Sequence, residues 1–81
     1  MMERQEIMER WKATAELFLR DNVKTFIKTV GNDLYFCEII LVGDDTITVK
    51  CFGPQQRAGM KFVLYWPLIE EFEEYQNEVG K

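Results

Sequence analysis

Histidine is absent from this 81-residue sequence, and cysteine and proline each occur only twice. The lack of histidine removes the most frequent general base and metal ligand of enzyme sites. Cys37 and Cys51 are too few for a disulfide scaffold or for a structural zinc site, which needs four thiolate or imidazole ligands. No suitable pair of nucleophile and base remains. The sequence therefore predicts a protein that is not an enzyme, with no catalytic residue, metal or cofactor.

Long hydrophobic runs are also missing. No stretch approaches the roughly 20 apolar residues of a membrane span, and the start MMERQEIMERWK lacks the pattern of a signal peptide. We therefore expect a cytoplasmic protein without membrane contact, in which both thiols stay reduced. Lys and Arg number 10 against 14 Asp and Glu, a net charge of −4, which argues against binding duplex DNA through bulk phosphate attraction.

The residues that are present predict one small domain over 1–81. Apolar residues make up 47% of the chain and aromatic residues 14%, which is enough for a packed core. Over 2–20 the apolar residues recur every three or four positions, which predicts an amphipathic helix. Strands are expected in four further segments, separated by turns and a polar loop: 23–30, 34–42, 46–52 and 60–66.

The segment 69–79 allows two interpretations. Ile69, Phe72, Tyr75 and Val79 are spaced three, three and four apart, which is the period of a helix. A short strand from Ile69 to Glu73 is the rival, because five residues cannot separate the two periods. Glutamates fill the positions between, so residues 74–81 are expected to form an acidic, solvated tail.

Chemical compatibility predicts how the segments 34–42 and 46–52 pair. A turn centred on Asp44 aligns four compatible pairs: Cys37 with Cys51, Glu38 with Lys50, Ile39 with Val49, and Leu41 with Ile47. The alternative, a two-residue turn at Asp44-Asp45, would bury Glu38 against Cys51 without a partner. The favoured register brings the two thiols close together, although a reducing compartment argues against a disulfide.

One helix followed by four or five short strands predicts a small, strongly curved sheet closed on itself. In this arrangement the sequence resembles the Sm-like family over nearly its whole length. Cys37 stands at the bend of the second strand, where the family usually has glycine. Asp44, Ile47 and Thr48 follow the family's spacing of aspartate, apolar residue and asparagine, with threonine in the last place. The segment 65–72, in which Ile69 and Phe72 are three apart, is similar to the second family motif.

The resemblance implies a mainly β fold, in which an N-terminal helix (2–20) precedes a strongly bent, five-stranded antiparallel Sm-like barrel (23–73). A related SH3-like barrel is the alternative. It also implies a ring of six or seven copies that binds single-stranded RNA. Specificity is expected to be non-standard, because Tyr65-Trp66 replaces the Arg-Gly pair of the uridine pocket. Trp66-Pro67 likewise replaces the lysine and histidine of the bacterial Sm-like RNA chaperone.

Candidate site residues follow from the resemblance and from side-chain chemistry. The RNA-binding candidates, whose aromatic members could stack on bases, are Asp44, Thr48, Lys61, Tyr65 and Trp66. A modest basic patch could form from Lys24, Lys28, Lys50, Arg57 and Lys61, although solvated strand faces explain these residues equally well. The apolar surplus predicts a homo-oligomer whose candidate interface residues are Val63, Tyr65, Ile69 and Phe72. The alternative function is a protein-interaction or structural scaffold that has lost RNA binding.

Overall fold

The computed structural model describes residues 4–75, which form one helix and five antiparallel strands. Helix α1 spans Arg4–Asp21, and the strands are β1 (Lys24–Thr29), β2 (Leu34–Val42), β3 (Thr46–Gly53), β4 (Lys61–Tyr65) and β5 (Ile69–Glu74). Short 3₁₀ helices at Gln55–Arg57 and Trp66–Leu68 join β3 to β4 and β4 to β5. The predicted helix and four strands are confirmed. The predictions for residues 2 and 3 and for 76–81 lie outside the described residues.

Helix α1 covers one side of the sheet. Glu6 in its first turn and Arg20 in its last complement the helix dipole. The helix ends before Asn22, whose φ of 58° lies in the left-handed region that asparagine tolerates. Ala15 is fully buried against the core. Within residues 4–75, no helix carries an apolar stretch long enough to cross a membrane.

The five strands form a single sheet in the order β4-β3-β2-β1-β5. Every neighbouring pair is antiparallel, so the mainly β, five-stranded antiparallel architecture is confirmed. β4 and β5 are the two edges and do not pair with each other. Within the described residues the sheet is therefore open and not closed into the expected barrel.

The predicted β2–β3 register is confirmed for three of its four pairs, but the last pair and the turn centred on Asp44 are wrong. The Gly43 N–H donates to the carbonyl of Thr46 at 2.8 Å, which closes the alternative, two-residue turn at Asp44-Asp45. Cys37 pairs with Cys51, Glu38 with Lys50 and Ile39 with Val49, but Leu41 pairs with Thr48 and Val42 with Ile47. The register shifts between Ile39 and Leu41, where Ile40 is the extra residue of a β-bulge. The bulge turns Leu41 outward, and this side chain, expected inside, is 61% exposed.

Residues Ile69–Glu74 form a strand, β5, so the strand interpretation of this segment is confirmed. Ile27 of β1 pairs with Phe72, and Thr29 pairs with Ile69, with a register shift between Lys28 and Thr29. In a regular strand, residues three apart face opposite sides. The irregularity lets both Ile69 and Phe72 face the core, which explains their helix-like spacing.

Trp66 is the largest fully buried side chain, with 1% of its surface exposed. Its backbone N–H donates to the carbonyl of Asp45 at 3.1 Å, and its indole N–H donates to the carbonyl of Gly43, also at 3.1 Å. Phe72 lies beside it, with ring centroids 5.8 Å apart. Phe72 also contacts Trp11 and Phe18 of α1, at 6.2 and 6.0 Å, so one aromatic group joins helix, β5 and the β2–β3 turn.

The two cysteines are free, buried and directly opposite each other in β2 and β3. Burial raises the pKa of the Cys37 thiol to about 12, and the nearby Cys51 and Glu38 add to this shift. Burial also raises the pKa of Cys51, while Arg57 opposes that rise. Both thiols are therefore held in their neutral, unreactive form.

Replacing Trp66 by phenylalanine should lower the free energy of unfolding by about 1–3 kcal/mol, since it removes the hydrogen bond to Gly43 and leaves a cavity. Tyr65→Phe is the matched control, because Tyr65 is exposed, and its effect should stay within about 0.5 kcal/mol. Urea unfolding at one fixed protein concentration measures both. Equal effects of the two variants would contradict the role assigned to Trp66.

The Cys37 thiol should make the protein less stable in alkali. Its pKa in the fold lies above the ordinary value of 9.0, so the unfolded chain ionises first. The stabilisation is complete below pH 9.0 and is lost as the pH rises towards about 12. Cys37→Ala should therefore show a shallower decline of unfolding free energy over that range in urea titrations, whatever its offset at neutral pH. Parallel declines for the two proteins would reject this expectation.

Candidate functional site

Three cross-strand pairs form the outer face of β3 and β4. Thr46 lies opposite Tyr65, Thr48 opposite Val63, and Lys50 opposite Lys61. Opposed residues share one side of a sheet, and Ile47 and Val49, which alternate with the β3 members, are fully buried on the other side. We call this six-residue surface the β3–β4 face.

Charge is concentrated at one end of the β3–β4 face. Lys50 and Lys61 lie directly opposite each other, an arrangement that like charges disfavour and that a bound anion would relieve. Glu38 of β2, opposite Lys50, supplies one neighbouring carboxylate. At the other end Val63 and Tyr65 are 62% and 57% exposed. The face thus presents two ammonium groups in line with an apolar and an aromatic side chain.

The structure separates the five RNA-binding candidates into two groups. Thr48, Lys61 and Tyr65 lie together on the β3–β4 face, and Asp44 is exposed in the adjoining β2–β3 turn. Trp66 instead points into the core, where burial leaves its ring no free face for a base. The β4–β5 connection lies close to the β2–β3 turn, and the two hydrogen bonds of Trp66 link these segments. Trp66 therefore has a structural role at this position.

The four interface candidates divide in the same way. Val63 and Tyr65 are exposed on the edge strand β4. Ile69 is fully buried and Phe72 is 8% exposed, so both belong to the core of the single chain. Their place in the core follows from the pairing of β5 with β1 and its register shift.

The free edge of β4 borders an apolar groove. The Trp66 N–H donates to the carbonyl of Asp45, and the Met60 carbonyl accepts from the Cys51 N–H, so the backbone groups of Trp66 and Met60 face β3. Backbone groups alternate in direction along a strand, so the N–H and C=O groups of Lys61, Val63 and Tyr65 point away from the sheet. Beside them lies a hollow of about 260 Å³, closed on its far side by the β1–β2 turn. Four of the ten large apolar side chains exposed within residues 4–75 line it: Val30, Val63, Tyr65 and Leu68. We call it the edge groove.

The edge of β5 differs in charge and in cover. Its sequence, IEEFEE, carries four glutamates and no basic residue. Lys28 of β1 contacts Glu70 and Glu71 at 3.6 and 3.9 Å. The Arg4 guanidinium donates to the carbonyls of Pro67 and Ile69 at 2.6 and 2.8 Å. Helix α1 therefore occupies the first backbone acceptors of this edge.

A second hollow, of about 430 Å³, surrounds Arg57 in the β3–β4 loop. The guanidinium carbon lies 4.6 Å from the ring centroid of Tyr35 and 5.6 Å from that of Phe62. One of its amino groups donates to Asp33 Oδ1 at 3.2 Å. Its other lining residues include the polar Asn32 and Gln56 and the apolar Leu34, Pro54 and Met60. We call it the Arg57 groove.

Sequence reasoning placed Arg57 only in a diffuse basic patch. The available signal was an arginine in a loop bounded by Gly53-Pro54 and Gly59. Its partner Asp33 lies 24 residues away, and that contact follows from the fold and not from local spacing. The other four members of the patch do not gather around it, since Lys50 and Lys61 lie on the β3–β4 face, Lys24 contacts Phe52 and Lys28 pairs with β5.

An aromatic cluster outside the core was also missed. Phe26, Phe36, Tyr75 and Phe52 contact one another in that order, with ring centroids 5.3–5.7 Å apart. Gly53 packs closely beside them, because a Cβ at this position would lie 3.1 Å from the Phe36 ring and would require that ring to shift. The cluster joins the ends of β1, β2, β3 and β5, which is a packing role.

Within residues 4–75, no three histidine, cysteine, aspartate or glutamate side chains converge as metal ligands would. The chain matches no protein-family model, no curated protein and no solved structure. What the molecule does is therefore inferred from its own geometry and from the motif resemblance.

Proposed function

We propose that this protein is a ring-forming Sm-like module that associates through its sheet edges and binds single-stranded RNA on the β3–β4 face. A helix followed by five antiparallel strands supports the Sm-like assignment, since this is the element order that the resemblance implies. The observation that carries the proposal is the apolar edge of β4, whose outer side pairs with no strand among residues 4–75.

A free strand edge with this composition favours strand addition. Exposed edges are usually protected by charges, proline or a covering element. β4 (KFVLY) has a single charged residue, Lys61, and no proline. A strand laid along β4 would pair the outward backbone groups of Lys61, Val63 and Tyr65. It would also remove Val30, Val63 and Leu68 of the edge groove from water, at about 25 cal/mol per Å² buried.

The proposed occupant is β5 of a second copy. A closed ring needs a heterologous contact between two different surfaces, and the two sheet edges are β4 and β5. Their charges are complementary, because Lys61 would meet a strand with four glutamates. Pairing of β5 with another β5 would instead oppose carboxylates. Since Arg4 covers the start of β5, we expect the added strand to pair along Glu71–Glu74. The resemblance to the Sm-like family implies a ring of six or seven copies.

Light scattering should give a solution mass of six or seven times the 9.6-kDa chain. Val63→Lys should reduce the solution mass to that of one chain, because assembly would bury the new charge in the contact between copies. Leu17→Lys is the matched control. Leu17 is 50% exposed on α1 and lies outside the edge groove, so this variant should keep the native mass. A stable single-chain species at high protein concentration would refute ring assembly.

RNA binding is supported by the chemistry of the β3–β4 face. The Tyr65 ring is exposed and could stack on an unpaired base, which is worth about 1–3 kcal/mol per base. Lys50 and Lys61 lie on the same face, within reach of a strand's phosphates. Two ammonium groups on an acidic chain support weak, salt-sensitive binding, and the burial of Trp66 removes a second stacking ring.

Labelled U-rich and A-rich RNAs should bind more weakly as salt increases, with a slope set by the few phosphates contacted. Tyr65→Leu, which keeps an apolar edge, should lower affinity by roughly tenfold through loss of stacking. Lys50→Gln should reduce the salt slope by about 0.7 without touching the edge. Lys12→Gln on α1 is the control. Absence of binding at low salt, or binding indifferent to salt, would exclude this mechanism and leave an assembled scaffold.

A further inference from the structure

The Arg57 groove contains donors that the fold does not use. A guanidinium has five N–H donors in a planar fork. Within residues 4–75 the Arg57 guanidinium makes one hydrogen bond, to Asp33. Contact with the faces of Tyr35 and Phe62 holds the group in place. The remaining donors are therefore held in place without an acceptor among residues 4–75.

Two amide side chains stand on the same rim. Asn32 and Gln56 are both exposed and both line the groove. Neither side chain forms a hydrogen bond within the described part of the chain. An amide both donates and accepts, so the pair matches a ligand edge that carries donors and acceptors side by side.

Asp33 also lines the groove, with its carboxylate paired to Arg57, and the other lining residues are apolar. Leu34 and Met60 are 37% and 49% exposed, and Pro54 and the half-buried Phe62 lie beside them. Flat aromatic ligands are commonly held between such side chains, while a few polar groups fix their orientation. The hollow, at about 430 Å³, falls within the roughly 300–1,000 Å³ of small-molecule sites.

We propose that the Arg57 groove binds one nucleobase of a single-stranded nucleic acid, with Asn32 and Gln56 at the polar edge of the base and Arg57 at its phosphate. A nucleotide combines the three required properties: a flat apolar ring, an edge with donors and acceptors, and an anion. An isolated carboxylate or phosphate would leave the amides and the apolar floor without a role. This site deepens the RNA-binding proposal and rests on it, but it lies apart from the β3–β4 face.

Nuclear magnetic resonance of the full-length protein with uridine and adenosine monophosphates tests the site directly. The side-chain amide signals of Asn32 and Gln56 should shift in a saturable manner. Ribose 5-phosphate, which has the anion but no base, should leave them nearly unchanged.

Two neighbouring glutamines provide a matched pair of variants. Gln56→Ala should weaken nucleotide affinity by about five- to tenfold, as expected for one lost hydrogen bond. Gln55→Ala should bind like the native protein, because Gln55 is exposed on the same 3₁₀ helix and does not line the groove. Equal affinities of the two variants would overturn the proposal.

Arg57→Lys tests the phosphate contact, since lysine keeps the charge and lacks the planar fork. It should lose roughly tenfold for uridine monophosphate and little for uridine. Thermal unfolding checks that its fold is intact. Shifts confined to the β3–β4 face, or equal shifts with ribose 5-phosphate, would reject the nucleobase site. Shifts at the groove without any oligonucleotide affinity would uphold the site and reject the RNA-binding function.

Discussion

Trp66 donates from its backbone and its indole to the carbonyls of Asp45 and Gly43, and these two contacts fasten the β4–β5 connection to the β2–β3 turn. The ring is fully buried beside Phe72, which in turn contacts the helix through Trp11 and Phe18. β4 ends and β5 begins at this connection, and the two strands lie on opposite edges of the sheet. Because the two strands do not pair with each other, each has an outer side without a strand partner in the described part of the chain.

The edges of β4 and β5 differ in charge and in how far they are covered, so each copy presents two different surfaces for association. β5 is acidic and partly covered by Arg4, while β4 is nearly uncharged and bordered by apolar side chains. Tyr65 lies at the junction of two surfaces, since it lines the edge groove and belongs to the β3–β4 face. Association along β4 would thus alter the surroundings of the residue proposed to stack on RNA, which couples assembly to binding.

The sequence was sufficient where local pattern decides the structure. The helix, the first strands and three β2–β3 pairs followed from periodicity and from compatible partners. It failed where an irregularity inserts a residue: the bulge at Ile40 turned Leu41 outward, and the shift beside Thr29 brought Ile69 and Phe72 to one side. Neither irregularity has a sequence marker. The burial of Trp66 and the contact of Arg57 with Asp33 depend on how distant segments meet, which no local spacing encodes.

Amide hydrogen exchange along β4 tests the central claim, that this edge is a pairing surface, most directly. The amides of Leu64 and Phe62 face β3 and should be protected at every protein concentration, which provides an internal reference. The amide of Val63 faces outward and should exchange quickly in dilute solution and become protected as concentration rises. Rapid exchange of the Val63 amide at all concentrations, with Leu64 still protected, would show that no strand adds to this edge.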